Sequence, residues 1–202
     1  MFYETAKGHG LPRDPFKAIV APRPIGWIST RSRSGAVNLA PYSFYNAVST
    51  NPHLVWFASE GEKDSAAFAR ESGEFVVNLV GRDLAEKMNA SSVDAPRGES
   101  EFGYAGLTAA PCRLVSAPRV AEAPAAMECK LTEIYEPKGL DGRPAGVLVV
   151  MGEVVGIHIE DSMLKNGFFD VTKAGNVARL GYRDYLSIEE IFAMNRPRWE
   201  SD

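Results

Sequence analysis

Val, Ile, Phe and Thr gather in short runs along this chain, and each run is closed by Gly, Pro, Asn or Asp. That alternation dictates strands and tight turns rather than long helices, and it predicts a β-barrel or sandwich. The runs IGWIST, AVNLAPYSF, LVWFAS, EFVVNLV, MECKLTEIYEP and VLVVMGEVVGIHI read as strands. RSRSG, between the first two, reads as a hairpin loop in which Gly35 takes the positive-φ position. PKGLDGRPAG is a second turn-rich connection, ahead of a long strand that begins near Val147. Helices are few. Asp64 or Ser65 is placed to cap SAAFARES, which Gly73 stops. DLAEKMNASS carries Asp83 and Glu86 in capping-box spacing, and SIEEIFAMN carries Ser187 and Glu190 in the same spacing ahead of Pro197.

The 202 residues suit one β-rich domain, residues 1–202, with a substantial core. A formal charge of −4, mixed along the chain, gives no basic face for nucleic acid. The start, MFYETAKGHGLPRDPF, lacks the basic and apolar segments of a secretory signal. The longest apolar run is interrupted by Glu153 and is too short to span a bilayer, so a cytoplasmic protein with no membrane partner is expected. Cys112 and Cys129 have neither CxxC spacing nor a neighbouring His, and read as buried free thiols. His9, His53 and His158 are dispersed, so no metal site is expected. No nucleophile elbow, dinucleotide fingerprint or P-loop is present. A polar lining with few reactive groups points to chemistry carried by a bound cofactor.

Two stretches carry that lining. GAVNLAPYSFYNAVSTNP, from Gly35 to Pro52, mixes apolar residues with Asn38, Ser43, Asn46, Ser49 and Thr50. A buried hydroxyl or amide without a partner costs about 1–3 kcal/mol, so these groups require something polar. Read as a hairpin and a following loop, the longer stretch GWISTRSRSGAVNLAPYSFYNAVS offers Ser29, Thr30, Asn38, Ser43 and Asn46 beside the flat surfaces of Trp27, Tyr42, Phe44 and Tyr45. Ordinary surface hydroxyls over core aromatics would give the same pattern. In GEKDSAAF, Lys63 stands immediately before a helix N-terminus, where free N–H groups and the helix dipole favour a phosphate. A solvated lysine beside a capped helix is the competing reading, and an Asp64 carboxylate aimed at those N–H groups would exclude an anion.

Longer segments weigh between these readings. APRPIGWISTRSRSGAVNLAPYSFYNAVSTNPHLVWFAS, KDSAAFARESGEFVVNLV, LAEKMNASS, EFGYAGLT, VAEAPAAMECKL, GEVVGIHI and ARLGYRDY together resemble the flavin reductase-like, FMN-binding split-barrel family, from about Pro12 to Tyr185. The resemblance implies an antiparallel split β-barrel of Greek-key type with a few flanking helices, a homodimer, and FMN rather than FAD held near the dimer interface. It implies that Ser29, Thr30, Asn38, Ala40, Ser43, Phe44 and Asn46 line the flavin, with Lys63 and Ser65 near its phosphate. It sets His158 toward the nicotinamide of an NAD(P)H donor and Arg179 near the cofactor cleft. Tyr182 stands where many relatives have a second Gly. Two activities fit: an NAD(P)H-dependent flavin reductase serving a small-molecule or protein acceptor, and an FMN-binding electron carrier reduced by a protein. A flavin-free interaction module is the reading without a cofactor.

Overall fold

The computed structural model describes residues 1–199. Seven strands form its main sheet: β1 (Gly26–Arg31), β2 (Val37–Tyr42), β3 (Tyr45–Thr50), β4 (His53–Glu60), β5 (Glu74–Asn78), β6 (Ala125–Tyr135) and β7 (Val147–Ile159). They lie in the order β2-β1-β5-β6-β7-β4-β3, antiparallel at every step. The two edge strands, β2 and β3, are consecutive in sequence and joined by Ser43 and Phe44 alone. A two-residue corner cannot bridge the width of a flat seven-stranded sheet, so the sheet must curl until its edges meet. The carbonyl of Phe44 accepts the Ala58 N–H of β4 at 2.8 Å, fastening that corner. The result is a split antiparallel barrel.

Both faces of β1 and β5 are covered, which is why these strands mix large apolar side chains so densely. Ile28 enters an inner cluster with Val55, Phe57, Phe75, Val77, Cys129 and Val150. Helix α1 (Asp64–Ser72) adds Ala66 and Ala69 to it. Phe57 and Phe75 meet edge to face, with centroids 5.4 Å apart. The neighbouring Trp27 enters an outer cluster instead, with Leu39, Leu84, Phe102 and Val120. Met88 joins that outer cluster from helix α2 (Ala85–Ala90) and Phe102 from helix α3 (Glu101–Tyr104). Gly152 in β7 is required by this packing, because a Cβ there would fall 2.5 Å from the Phe75 ring and 2.9 Å from the Lys130 carbonyl.

A smaller sheet joins Arg23–Pro24, Val177–Arg179 and Tyr185–Ser187, with Arg23 opposite Arg179. Among the described residues, no helix is long and apolar enough to cross a membrane.

Six of the seven main strands fall where the alternation predicts them, and Gly35 has the expected positive φ of 95°. Several local expectations fail. The segment after the first hairpin is a strand, not a loop: β3 pairs with β4 from Tyr45–Phe57 to Thr50–His53. Lys63 occupies the N-cap of α1, and neither Asp64 nor Ser65 caps it; Gly73 does end the helix, with φ of 74°. The Asp83–Glu86 box does not form, since Arg82–Leu84 is a 3-10 turn and α2 begins at Ala85 without a side-chain cap. No helix forms at SIEEIFAMN. Ser187 is spent in strand pairing with Val177, and Ile191, Phe192 and Met194 stay exposed, so burial does not offset the cost of helix nucleation.

Candidate functional site

The β1–β2 hairpin, the start of α1 and the loop after α2 enclose a cleft of about 340 Å³. Asn38, Ala40, Pro41 and Tyr42 form one wall, Ser91 to Ala95 with Arg97 the other, and Lys63 and Asp64 stand at its rim. Strand register explains the first wall, because Thr30 pairs with Asn38 and Ile28 with Ala40 across the hairpin. Asn38 is buried and donates to Ser65 Oγ at 2.7 Å, with Thr30 Oγ1 at 3.5 Å. This places the α1 N-terminus against β2. The second wall is tethered by Trp27, whose Nε1–H donates to Ser91 Oγ at 2.8 Å, while Ser91 donates to the Met88 carbonyl at 2.7 Å.

The electrostatics of the rim favour an anion. The first N–H groups of α1 have no intrahelical acceptor by helix geometry, and no side chain caps them. Asp64 does not compete for them: its carboxylate turns away to accept from the Gly98 N–H at 3.1 Å, beside Arg97 Nε at 3.2 Å. Among the described residues, the ionic partner of Lys63 Nζ is Asp94, at 3.6 Å, and Asp94 is almost fully exposed. Such a pair contributes about 0–1 kcal/mol and leaves the ammonium free to meet a ligand. Beneath the cleft, Glu101 accepts the Leu39 N–H at 2.8 Å, and burial pushes its carboxyl above the ordinary range. Burial likewise raises the Tyr42 phenol, so it stays protonated as a donor.

Pro41, Tyr42 and Lys63 are shared with a second cleft of about 340 Å³ that continues past Ser43 and Phe44 to Lys17, Ala58, Glu60 and Val147. Lys17 Nζ and the Arg23 guanidinium each lie 5.9 Å from the Phe44 ring centroid. The structure thus brings Asn38, Ala40, Ser43, Phe44 and Lys63 onto one continuous groove.

The other sequence-predicted residues sit elsewhere. Ser29 is fully buried on the Trp27 face, where it donates to the Pro118 carbonyl and accepts from Asn78 Nδ2, and it lines neither half of the groove. Thr30 and Ser65 are also buried and act one layer behind the wall, through Asn38. Asn46 lines a different, mostly apolar cleft of about 550 Å³ with Tyr45, Met127, Ile157 and Val177. Arg179 donates to Tyr185 Oη and, at 2.6 Å, to the Tyr182 carbonyl, and lines neither half of the groove. Tyr182 has φ of 57°, the left-handed conformation that favours glycine. His158 lies in a further cleft, with Nε2 2.6 Å from Glu128 Oε1. Sequence reasoning assigned no role to Ser92, Asp94 or Arg97, which help form the second wall; the NASS at the end of α2 was the available signal.

A curled antiparallel half-barrel, with a polar groove ending on an uncapped helix N-terminus, defines a split-barrel protein. The comparisons agree: residues 20–178 match the model of the flavin reductase like domain, and the chain belongs to that family. It is 38% identical over 183 residues to an uncharacterized protein of Halalkalibacterium halodurans, covering 88% of this chain and 87% of that one. Among solved structures, it is similar to nitrilotriacetate monooxygenase component B from Bacillus cereus at 28% identity and a TM-score of 0.86, covering 96% and 98% of the two chains. It is similar also to 2-nitrobenzoate 2-nitroreductase from Pseudomonas fluorescens at 27% identity and a TM-score of 0.81, covering 93% and 91%.

Proposed function

We propose that this chain is an FMN-binding oxidoreductase that takes electrons from NAD(P)H and passes them to a small-molecule or protein acceptor. The observation that carries the reading is the uncapped N-terminus of α1 beside the free Lys63 ammonium, at the end of a groove in a flavin reductase-like fold. The residues present fit the cofactor. Lys63 and the first N–H groups of α1 suit its phosphate, and Arg97 keeps Asp64 from competing there. Ala40 and Pro41 leave the groove wall low enough for a flat ring, and Asn38 and Ser43 supply polar contacts along it.

Bound there, the flavin would supply two-electron chemistry, taking hydride from NAD(P)H. The chain's own contribution is alignment, an effect worth up to about 7–11 kcal/mol of barrier when two reactants are held in register. Tyr42, kept protonated by burial, and the buried Asn38 amide are fixed dipoles that need no reorganisation during reaction. The reading includes a homodimer, in which a second copy covers the apolar cleft bounded by the exposed Ile157 and Ile159.

The test is the visible spectrum of purified protein mixed with FMN under anaerobic conditions, before and after NADH or NADPH. Bound flavin that bleaches on addition of the nucleotide supports the reductase. Bound flavin that stays yellow with both nucleotides overturns nucleotide dependence in favour of an electron carrier, and absence of flavin binding overturns the site.

A further inference from the structure

A second group of chemically competent side chains lies outside the flavin groove, at a cleft of about 430 Å³ that Glu128 and His158 line and beside which the half-buried Cys112 stands. Cys112, Glu128 and His158 come from three segments: the loop before Val115, strand β6 and strand β7. Their Sγ, carboxylate oxygen and ring nitrogen all lie within 4.8 Å of one another. Cys112 has no histidine near it along the chain, but the β6–β7 ladder supplies one, setting Ala126 opposite His158 and Gly156 opposite Glu128. Gly156 presents no side chain over the carboxylate, so that side of the cluster faces the cleft.

We propose that Cys112, Glu128 and His158 bind a divalent transition-metal ion of the zinc class, leaving one coordination position toward the cleft. Thiolate, imidazole and carboxylate together are a borderline-soft donor set that suits zinc and excludes magnesium and calcium, which take oxygen ligands. The carboxylate is already oriented: Glu128 Oε1 accepts from Arg113 N–H at 2.9 Å, and Oε2 from Leu114 and Val115 N–H at 2.6 and 3.0 Å. Backbone donors of this kind fix a metal-binding carboxylate and raise affinity. His158 is about one-fifth exposed, so an ion reaches it from solvent.

The ion takes the place of the proton that now bridges His158 and Glu128. Zinc to nitrogen and oxygen distances near 2.0–2.1 Å require the two donors to separate from 2.6 Å to roughly 3.3 Å, a movement within reach of an imidazole that is one-fifth exposed. Binding releases the Cys112 thiol proton to solvent and leaves the imidazole neutral, its proton on Nδ1. The fourth position faces a cleft that also holds Arg119, whose buried Nε has no hydrogen-bond partner. An anionic fourth ligand, such as hydroxide, would complete both the ion and that donor.

The test uses the whole protein, freed of metal by a chelator and then given Co2+ or Zn2+. Cobalt should produce thiolate charge-transfer absorption and d–d bands to the red of any flavin, and dialysis against limiting zinc should leave one equivalent per chain by mass spectrometry. Cys112→Ser and His158→Asn should each weaken zinc binding at least about 10-fold with unchanged far-UV circular dichroism. Absence of cobalt bands from the wild-type protein overturns the proposal, as does zinc retained equally by both variants. Flavin content, read separately from absorbance, does not enter either outcome.

Discussion

Replacement of Lys63 by alanine separates recognition of the phosphate from recognition of the ring. Lys63 contributes almost nothing to the fold: its side chain is more than half exposed, and its one ionic partner is 3.6 Å away in solvent. The variant should therefore unfold within about 0.5 kcal/mol of the parent. Its effect on binding is larger. A hydrogen bond to a charged group contributes about 1.5–3 kcal/mol, and exposure of this ammonium puts it at the lower end, about 1.5 kcal/mol. That corresponds to about a tenfold rise in the Kd for FMN. Riboflavin has the same ring and no phosphate, so its Kd should be unchanged by the substitution. Quenching of flavin fluorescence gives all four constants, and their ratio isolates the phosphate term from any change in groove shape. Raised salt should narrow the FMN difference and leave riboflavin alone. Equal losses for FMN and riboflavin would refute the reasoning, because the substitution would then act through the ring or the fold. An unchanged FMN constant would equally refute it.

Three further outcomes test the scaffold. Gly152→Ala should lower stability by about 1–3 kcal/mol in urea unfolding, since its Cβ meets the fully buried Phe75 ring and a backbone carbonyl that cannot yield. Tyr182→Gly should raise the melting temperature, because relief of a left-handed backbone gains about 1–2 kcal/mol, against the loss of the Arg13 contact at 5.7 Å and of the packing of a side chain that is 45% exposed. Burial of Glu74 would raise its carboxyl pKa, but Lys130 at 2.7 Å and Ser116 outweigh it and hold the group below the ordinary range. The stability this adds is complete above the unfolded glutamate pKa of about 4.3 and is lost as pH falls through the lower folded value. Glu74→Gln should therefore cost about 1–3 kcal/mol at pH 7, and unfolding curves of variant and parent should converge in acid.

What the sequence discloses and what it conceals divide along a physical line. Six strands were legible because each buries apolar side chains on at least one face, and that burial imposes the apolar pattern that marks them. Strand β3 was not, since Asn46, Ala47 and Val48 are all exposed and leave no alternation to read; its conformation comes from the ladder with β4 and a bulge between Ala47 and Ser49. The same division runs through the groove. Asn38, Ala40, Ser43 and Phe44 lie on one hairpin and its corner, and Lys63 marks a helix start, so local spacing found them. The opposite wall depends on the hydrogen bond from Trp27 to Ser91, between residues 64 positions apart, and no local pattern encodes it. Ser29 was misplaced for the converse reason. A small polar residue on a strand signals a partner, but the signal is the same whether that partner is a cofactor or, as here, the Pro118 carbonyl and Asn78. Polar residues in a buried strand therefore announce that something must satisfy them, and only the cross-strand register decides which face, and so which partner, each one meets.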